Sequence, residues 1–195
     1  MEAFESFVAV ALETEGFVVS GGVKFRVKLP TRKAGYVEEQ THGYEVDLVG
    51  ARADQLVLAS VKSAFGSRGV VAEHVMGTTS DEGARRRYRL LNDETVRTAV
   101  VEAAAERYRY RPNQVQLRLY VGRFAGRKAG EHERQVRDWA ARERVGGAPI
   151  SVVGVREVVR TVREAAGDTQ YRDSPVLVAL KALQEADQLV PEPPG

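Results

Sequence analysis

Cysteine is absent from this 195-residue chain, which excludes disulfides and cysteine-ligated zinc or iron–sulfur centres. Histidine is scarce: only His42, His74 and His132 are present, none at metal-ligand spacing from a second ligand. Each reads as structural or solvent-exposed, and any metal is expected on oxygen ligands. The opening segment "MEAFESFVAVALETEG" is acidic at its start and interrupted by Glu5 and Glu13, so it resembles neither a signal peptide nor a membrane span. A cytoplasmic protein with no membrane partner is expected. Two catalytic motifs are also missing: a glycine-rich phosphate loop ending in Lys-Ser/Thr, and a G-x-S-x-G nucleophile elbow. ATP hydrolysis and serine-hydrolase chemistry are therefore unsupported.

What is there is enough apolar material, 43% of residues, for one substantial core. The reading is an α/β domain over residues 1–155, C-terminal helices within 156–190 packed on it, and a disordered tail at 191–195. Net charge is only +2, yet 23 of the 29 basic residues are arginine, the better bidentate partner for phosphate. Three segments concentrate them: "ARRRYR" (84–89), "ERYRYRP" (106–112) and "GRFAGRK" (122–128). Arg85, Arg86, Arg87, Arg107, Arg109, Arg123, Arg127 and Lys128 interleave there with Tyr88, Tyr108, Tyr110 and Phe124. Such clusters suit phosphate contacts with base stacking, or they are solvated helix ends and loops. Together they favour a polyanion partner.

Apolar residues Phe4, Phe7, Val8, Ala11 and Leu12 recur at helical spacing, predicting a helix over 2–15 ended by Gly16. Strands are expected at 17–20 and 23–29, separated by Gly21-Gly22, the second with Lys24, Arg26 and Lys28 on a wet face. Residues 30–42, with Pro30 and Gly35, read as a loop. Strands follow at 43–50 and 56–62, then a short helix at 67–77 and a helix at 92–109 capped by Asn92 or Asp93. A strand at 114–122, a helix at 131–144, a strand at 149–155 and helices at 156–167 and 174–187 complete the chain. Early strand pairs and later helix–strand alternation predict a mixed sheet with helices on both faces.

The stretch "EVDLVGARADQLVLASVKS" (45–63) is the most informative. Val46, Leu48, Val49, Leu56, Val57, Leu58, Ala59 and Val61 make both faces of two strands apolar, as in central strands covered on both sides. Charges there are costly. Strand alternation puts Glu45 and Asp47 on one face, and Ser60 and Lys62 together on the neighbouring strand. A lysine at the edge of a buried region needs a carboxylate partner, so Lys62 is expected to face Asp47. This is either a structural ion pair or the core of a site.

The order "ES" in helix one, "EGFVV" (15–19), "GYEVDLVG" (43–50) and "LVLASVKS" (56–63) resembles the PD-(D/E)xK nuclease superfamily, nearest to its Holliday-junction-resolvase and Mrr-type members, over roughly residues 1–76. The resemblance implies a restriction-endonuclease-like fold and a metal-dependent DNA endonuclease using Mg²⁺ or Mn²⁺. It implies that Asp47 is a direct metal ligand, that the Val61 carbonyl and Glu5 complete the shell, and that Lys62 orients or activates water. One departure matters: Ser60 stands where that pattern has its second acid. Glu45 or Glu73 is the expected substitute, with Glu38 and Glu39 behind them. The segment "SAFGSRG" (63–69) offers Ser63, Ser67, Arg68 and backbone amides either to hold a DNA phosphate or simply as a glycine-rich turn. The alternatives are a catalytically silent DNA-binding or assembly module of the same fold, and a protein–protein scaffold using helices 156–187. A homodimer is expected only by analogy with enzymes that cut both strands.

Overall fold

The computed structural model describes residues 2–30, 39–126, 130–167 and 174–186. Residues 31–38 of the expected loop, including Glu38, with Arg127, Lys128 and the tail 191–195, lie outside the described residues. Helix α1 (Ala3–Thr14) buries Phe4, Val8, Ala11 and Leu12 as one stripe. Its first turn is tied by the Glu2 amide donating to Glu5 Oε2 at 2.9 Å, and Gly16, at φ +85°, ends it. Strands β1 (Val18–Pro30), β2 (Glu39–Arg52) and β3 (Gln55–Lys62) form an antiparallel meander. Strand β4 (Val115–Val121) then joins β3 in parallel, and β7 (Ser151–Gly154) joins β4 in parallel. The sheet order is β1-β2-β3-β4-β7, a mixed α/β sheet flanked by helices, as the sequence predicts.

Between β3 and β4 run α2 (Ala72–Met76), α3 (Glu82–Arg86), α4 (Arg89–Asn92) and α5 (Glu94–Tyr108). Asp93 caps α5 by accepting from the Val96 amide at 3.2 Å. Helix α6 (Glu131–Ala140) follows β4, and α7 (Val155–Gly167) and α8 (Pro175–Glu185) close the described chain. These helices cover both faces of the sheet. One core packs Leu56, Leu58, Leu117 and Leu119 against α2, α5 and α6; the other packs Val57, Ala59, Val61 and Tyr120 against α1, α7 and α8. Strands β3 and β4 are buried on both sides, which is why their sequences are nearly continuous in apolar residues.

Several boundaries differ from the sequence reading. The stretch 39–42 is strand, because β1 and β2 continue as a two-stranded ribbon as far as Pro30↔Glu39. Residues 67–71 are not helical, α6 stops at Ala140, and a two-stranded turn, β5 (Arg144–Val145) and β6 (Ala148–Pro149), fills the gap before β7. Gly21-Gly22 does not divide β1 in two. Pairing with β2 keeps one register from Val18↔Ala51 to Pro30↔Glu39 and omits only the position where Gly22, at φ +62°, faces Asp47. Side-chain alternation slips there on both strands. Val19 packs in the α1 core whereas Val23 packs in the α5 core, and Leu48 and Val46 divide the same way. Beyond the slip, Val23, Phe25, Val27 and Leu29 lie against α5 and leave Lys24, Arg26 and Lys28 exposed.

Candidate active site

Asp47 therefore sits where regular pairing fails on both of its sides. Toward β1 lies the Gly22 gap; toward β3 the ladder ends at Leu48↔Ala59. The Val61 amide, one pleat further on, donates to Asp47 Oδ2 at 2.6 Å. The same oxygen accepts from Ser60 Oγ and from Lys62 Nζ, each at 3.4 Å. The Asp47–Lys62 ion pair expected from spacing is thus formed, with side chains 28% and 27% exposed. Ser60 is buried at 7% and satisfied by Asp47. A second carboxylate at this position would repel Asp47; the hydroxyl donates to it instead.

A cavity of about 660 Å³ opens beside this pair. Glu2 and Glu5 reach it from the first turn of α1, Ser63, Ala64, Ser67 and Arg68 from the loop after β3, His74 from α2, and Arg87 and Tyr88 from the α3–α4 junction. Three carboxylates thus meet Lys62, Arg68 and Arg87. Glu2 and His74 are the residues sequence reasoning missed. The signal for Glu2 was the Glu2-x-x-Glu5 spacing, which brings both acids to one helix end; His74 has none.

The first two substitute acids proposed for Ser60, Glu45 and Glu73, are not here. Glu45 pairs across the ribbon with Lys24 at 3.4 Å, and neither it nor Glu73 lines the cavity. Alternation along one strand cannot reveal a partner on the next. The basic clusters also separate in space. Arg68 and Arg87 edge this cavity; Arg85 and Arg86 line another with Glu82, to which Arg86 is paired at 2.9 Å; Arg107 and Arg109 line a third with Lys24 and Arg26. Arg123 is exposed, and its carbonyl accepts from the Val70 amide at 2.9 Å. The tyrosines are committed to packing rather than open for stacking. Tyr88 is 8% exposed, Tyr108 tilts against Phe25, and Tyr110 donates to the Arg52 carbonyl at 2.7 Å. Burial raises the phenol pKa of Tyr88; it also raises that of Tyr44, to which the Asp47 charge adds.

The loop after β3 is firmly seated. Ala64 takes φ +51°, and Ser67 donates from its amide to the Ala64 carbonyl at 3.3 Å. Gly122 lets it lie flat: a Cβ there would stand 2.2 Å from the Ser63 carbonyl oxygen and 2.7 Å from Phe65 Cζ. Gly69, at φ +95°, is pressed against the Phe124 backbone, 2.6 Å from where a Cβ would stand.

Among the described residues, no three histidine, aspartate or glutamate side chains stand close enough to hold a metal ion by themselves. The donors present still fit Mg²⁺, which takes one or two carboxylates and keeps most of its water. All three donors to Asp47 fall on Oδ2, and Glu2 and Glu5 line the same cavity.

No helix among the described residues is long and apolar enough to cross a membrane. No known family matches the sequence, and no curated protein does. A crystal structure described as a protein of unknown function, AF1548, is similar at 16% identity and a TM-score of 0.45, covering 94% of this chain and 76% of that one.

Proposed function

We propose that this protein is a Mg²⁺-dependent nuclease that hydrolyses DNA phosphodiesters, with Asp47 and Lys62 at its centre. The observation that carries the reading is the convergence of Asp47, Lys62 and the α1 carboxylates on one open polar cavity edged by Arg68 and Arg87. The resemblance of the first third of the sequence to PD-(D/E)xK nucleases supports the same assignment. Asp47, with Glu5 or Glu2, would hold the cation, whose chemistry is to polarise a phosphate oxygen and stabilise the leaving oxygen. Lys62 Nζ, fixed by Asp47, supplies positive charge where the phosphorane charge develops. Arg68 and Arg87 hold flanking phosphates. Asp47 is in turn oriented by the Val61 amide and the Ser60 hydroxyl.

The test is cleavage of supercoiled plasmid and of branched DNA with Mg²⁺ or Mn²⁺, comparing the native protein with Asp47→Ala and Lys62→Ala. Metal-dependent cleavage that falls by roughly 100-fold or more in both folded variants is expected. Ser60, a neutral hydroxyl where the nuclease pattern has its second acid, favours a second reading, a DNA-binding module without chemistry. Salt-sensitive DNA binding with no cleavage by the native protein would establish that reading and overturn the first.

A further inference from the structure

The loop after β3 is a partition between a cavity lined by charged groups and one that is almost wholly apolar. On one side, Ala64, Ser67 and Arg68 face the polar cavity that holds Asp47 and Lys62. On the other, Phe65 faces an apolar groove of about 510 Å³ with Phe4, Phe7, Val155 and Val159. Glu2 and Ser63 line both, so the two spaces are contiguous. Phe65 is 53% exposed although it is one of the largest apolar side chains, and its ring is braced edge-on by Phe4 at 5.4 Å between centroids. Below it, Gly122 leaves no room for even a methyl group. An aromatic ring braced by Phe4 and lying close over Gly122, half open to solvent and next to a cavity where Lys62, Arg68 and Arg87 stand beside three carboxylates, is arranged for a ligand with a flat apolar part joined to an anionic part. A nucleotide unit has that form.

We infer that the apolar groove receives an unpaired nucleobase, stacked on Phe65, from a DNA strand whose phosphate lies in the Asp47–Lys62 cavity. The inference rests on the nuclease reading and narrows its substrate class to DNA with unstacked nucleotides at the cut site: single strands, or the single-stranded parts of branched DNA. Lys62, Arg68 and Arg87 provide the charge complement for the phosphates, while the groove itself is uncharged apart from Glu2 at its mouth. A base inside a continuous duplex cannot enter it without first leaving the stack.

The experiment measures binding by fluorescence anisotropy, in Ca²⁺ to suppress turnover, of one labelled 20-nucleotide DNA as a single strand and as a duplex. It compares the native protein with Phe65→Ala, Phe65→Leu and Phe65→Trp. Native protein should prefer the single strand, and Phe65→Ala and Phe65→Leu should each weaken single-strand binding about tenfold while leaving duplex binding unchanged. Phe65→Leu keeps the apolar contact with Phe4 but has no aromatic face, so it separates stacking from folding. Phe65→Trp should keep the preference and have its indole emission quenched by the single strand. Equal single-strand affinity in native and Phe65→Leu protein would overturn the inference. If metal-dependent cleavage persists in that case, the nuclease reading stands without it; if no DNA form binds at all, both fall together.

Discussion

Replacing Asp47 by alanine and by asparagine should separate what its charge does from what its acceptor oxygen does. The Val61 amide lies just past the end of the β2–β3 ladder and donates to Asp47 Oδ2 at 2.6 Å. Alanine removes that acceptor, leaving a partly buried amide unsatisfied at a cost of about 1–3 kcal/mol. Lys62, 27% exposed, can turn toward water, so the lost ion pair adds only about 0–1 kcal/mol. The total, about 1–4 kcal/mol, corresponds to a fall in Tm of roughly 2–16 °C in a chain of this length. Asparagine retains a carbonyl oxygen for Val61 and loses only the charge, so its deficit should be about 1 kcal/mol, or roughly 2–4 °C. Loss of one of the cavity's three carboxylates relieves some repulsion, which a buffer of physiological ionic strength screens. Scanning calorimetry of the metal-free protein in such a buffer measures both differences. A melting point for Asp47→Ala at or above that of the native protein would refute the account, as would equal losses in the two variants.

Three further outcomes follow from the same geometry. Gly69→Ala places a Cβ 2.6 Å from the Phe124 carbonyl at φ +95°, so urea titration should find a loss of at least about 2 kcal/mol; a loss under about 0.5 kcal/mol would mean the loop relaxes freely. Arg97, 7% exposed, donates to the Leu91 carbonyl and to Glu143 at 3.0 Å. Arg97→Ala should cost about 2–3 kcal/mol and Glu143→Gln about 1, since Glu143 is 32% exposed and can rehydrate. The phenols of Tyr44, Tyr88 and Tyr120 are raised above the ordinary 10.0, in each chiefly by burial. The native state therefore holds protons that the unfolded chain gives up, so stability is complete below about pH 10 and falls as pH rises beyond it. Melting curves from pH 9 to 11 should decline, and more gently in Tyr120→Phe; a decline of the same steepness in that variant would contradict this origin.

The layers of the fold were legible because burial leaves a periodic trace. Phe4, Val8, Ala11 and Leu12 announce α1, and the unbroken apolar runs of β3 and β4 announce strands covered on both faces. Residues 39–42 left no such trace. They pair with β1, and Gln40, Thr41 and His42 are exposed, so no apolar period marks them as strand. Gly21-Gly22 misled for a related reason: a glycine pair that commonly ends a strand here changes which face the next residues take. Within the site, Asp47 and Lys62 were readable because two costly charges in an apolar hairpin must find each other. Glu45 was not, because its partner Lys24 comes from a strand whose register no local pattern specifies. Arg85, Arg86 and Arg87 looked unified along the chain and are divided by the fold between two cavities, with Arg107 and Arg109 at a third, since neighbours in sequence at a helix end or turn point in different directions.

The paired slip at Gly22 and Asp47 resets which face the outer ribbon presents without changing the register of β1 with β2. Because both strands change phase together and the register is kept, residues inserted in matched twos beyond Leu29 and before Gln40 would return every side chain to its own face. The contacts of Asp47 with Val61 and Lys62 would stay untouched. Each such step would extend the ribbon by about 7 Å. A single residue added to one strand inside the ribbon would instead turn part of the row Val23, Phe25, Val27 and Leu29 away from α5. Chains of this architecture are thus free to differ in how far the arm extends, in discrete increments, while the carboxylate and the lysine at its root keep their positions.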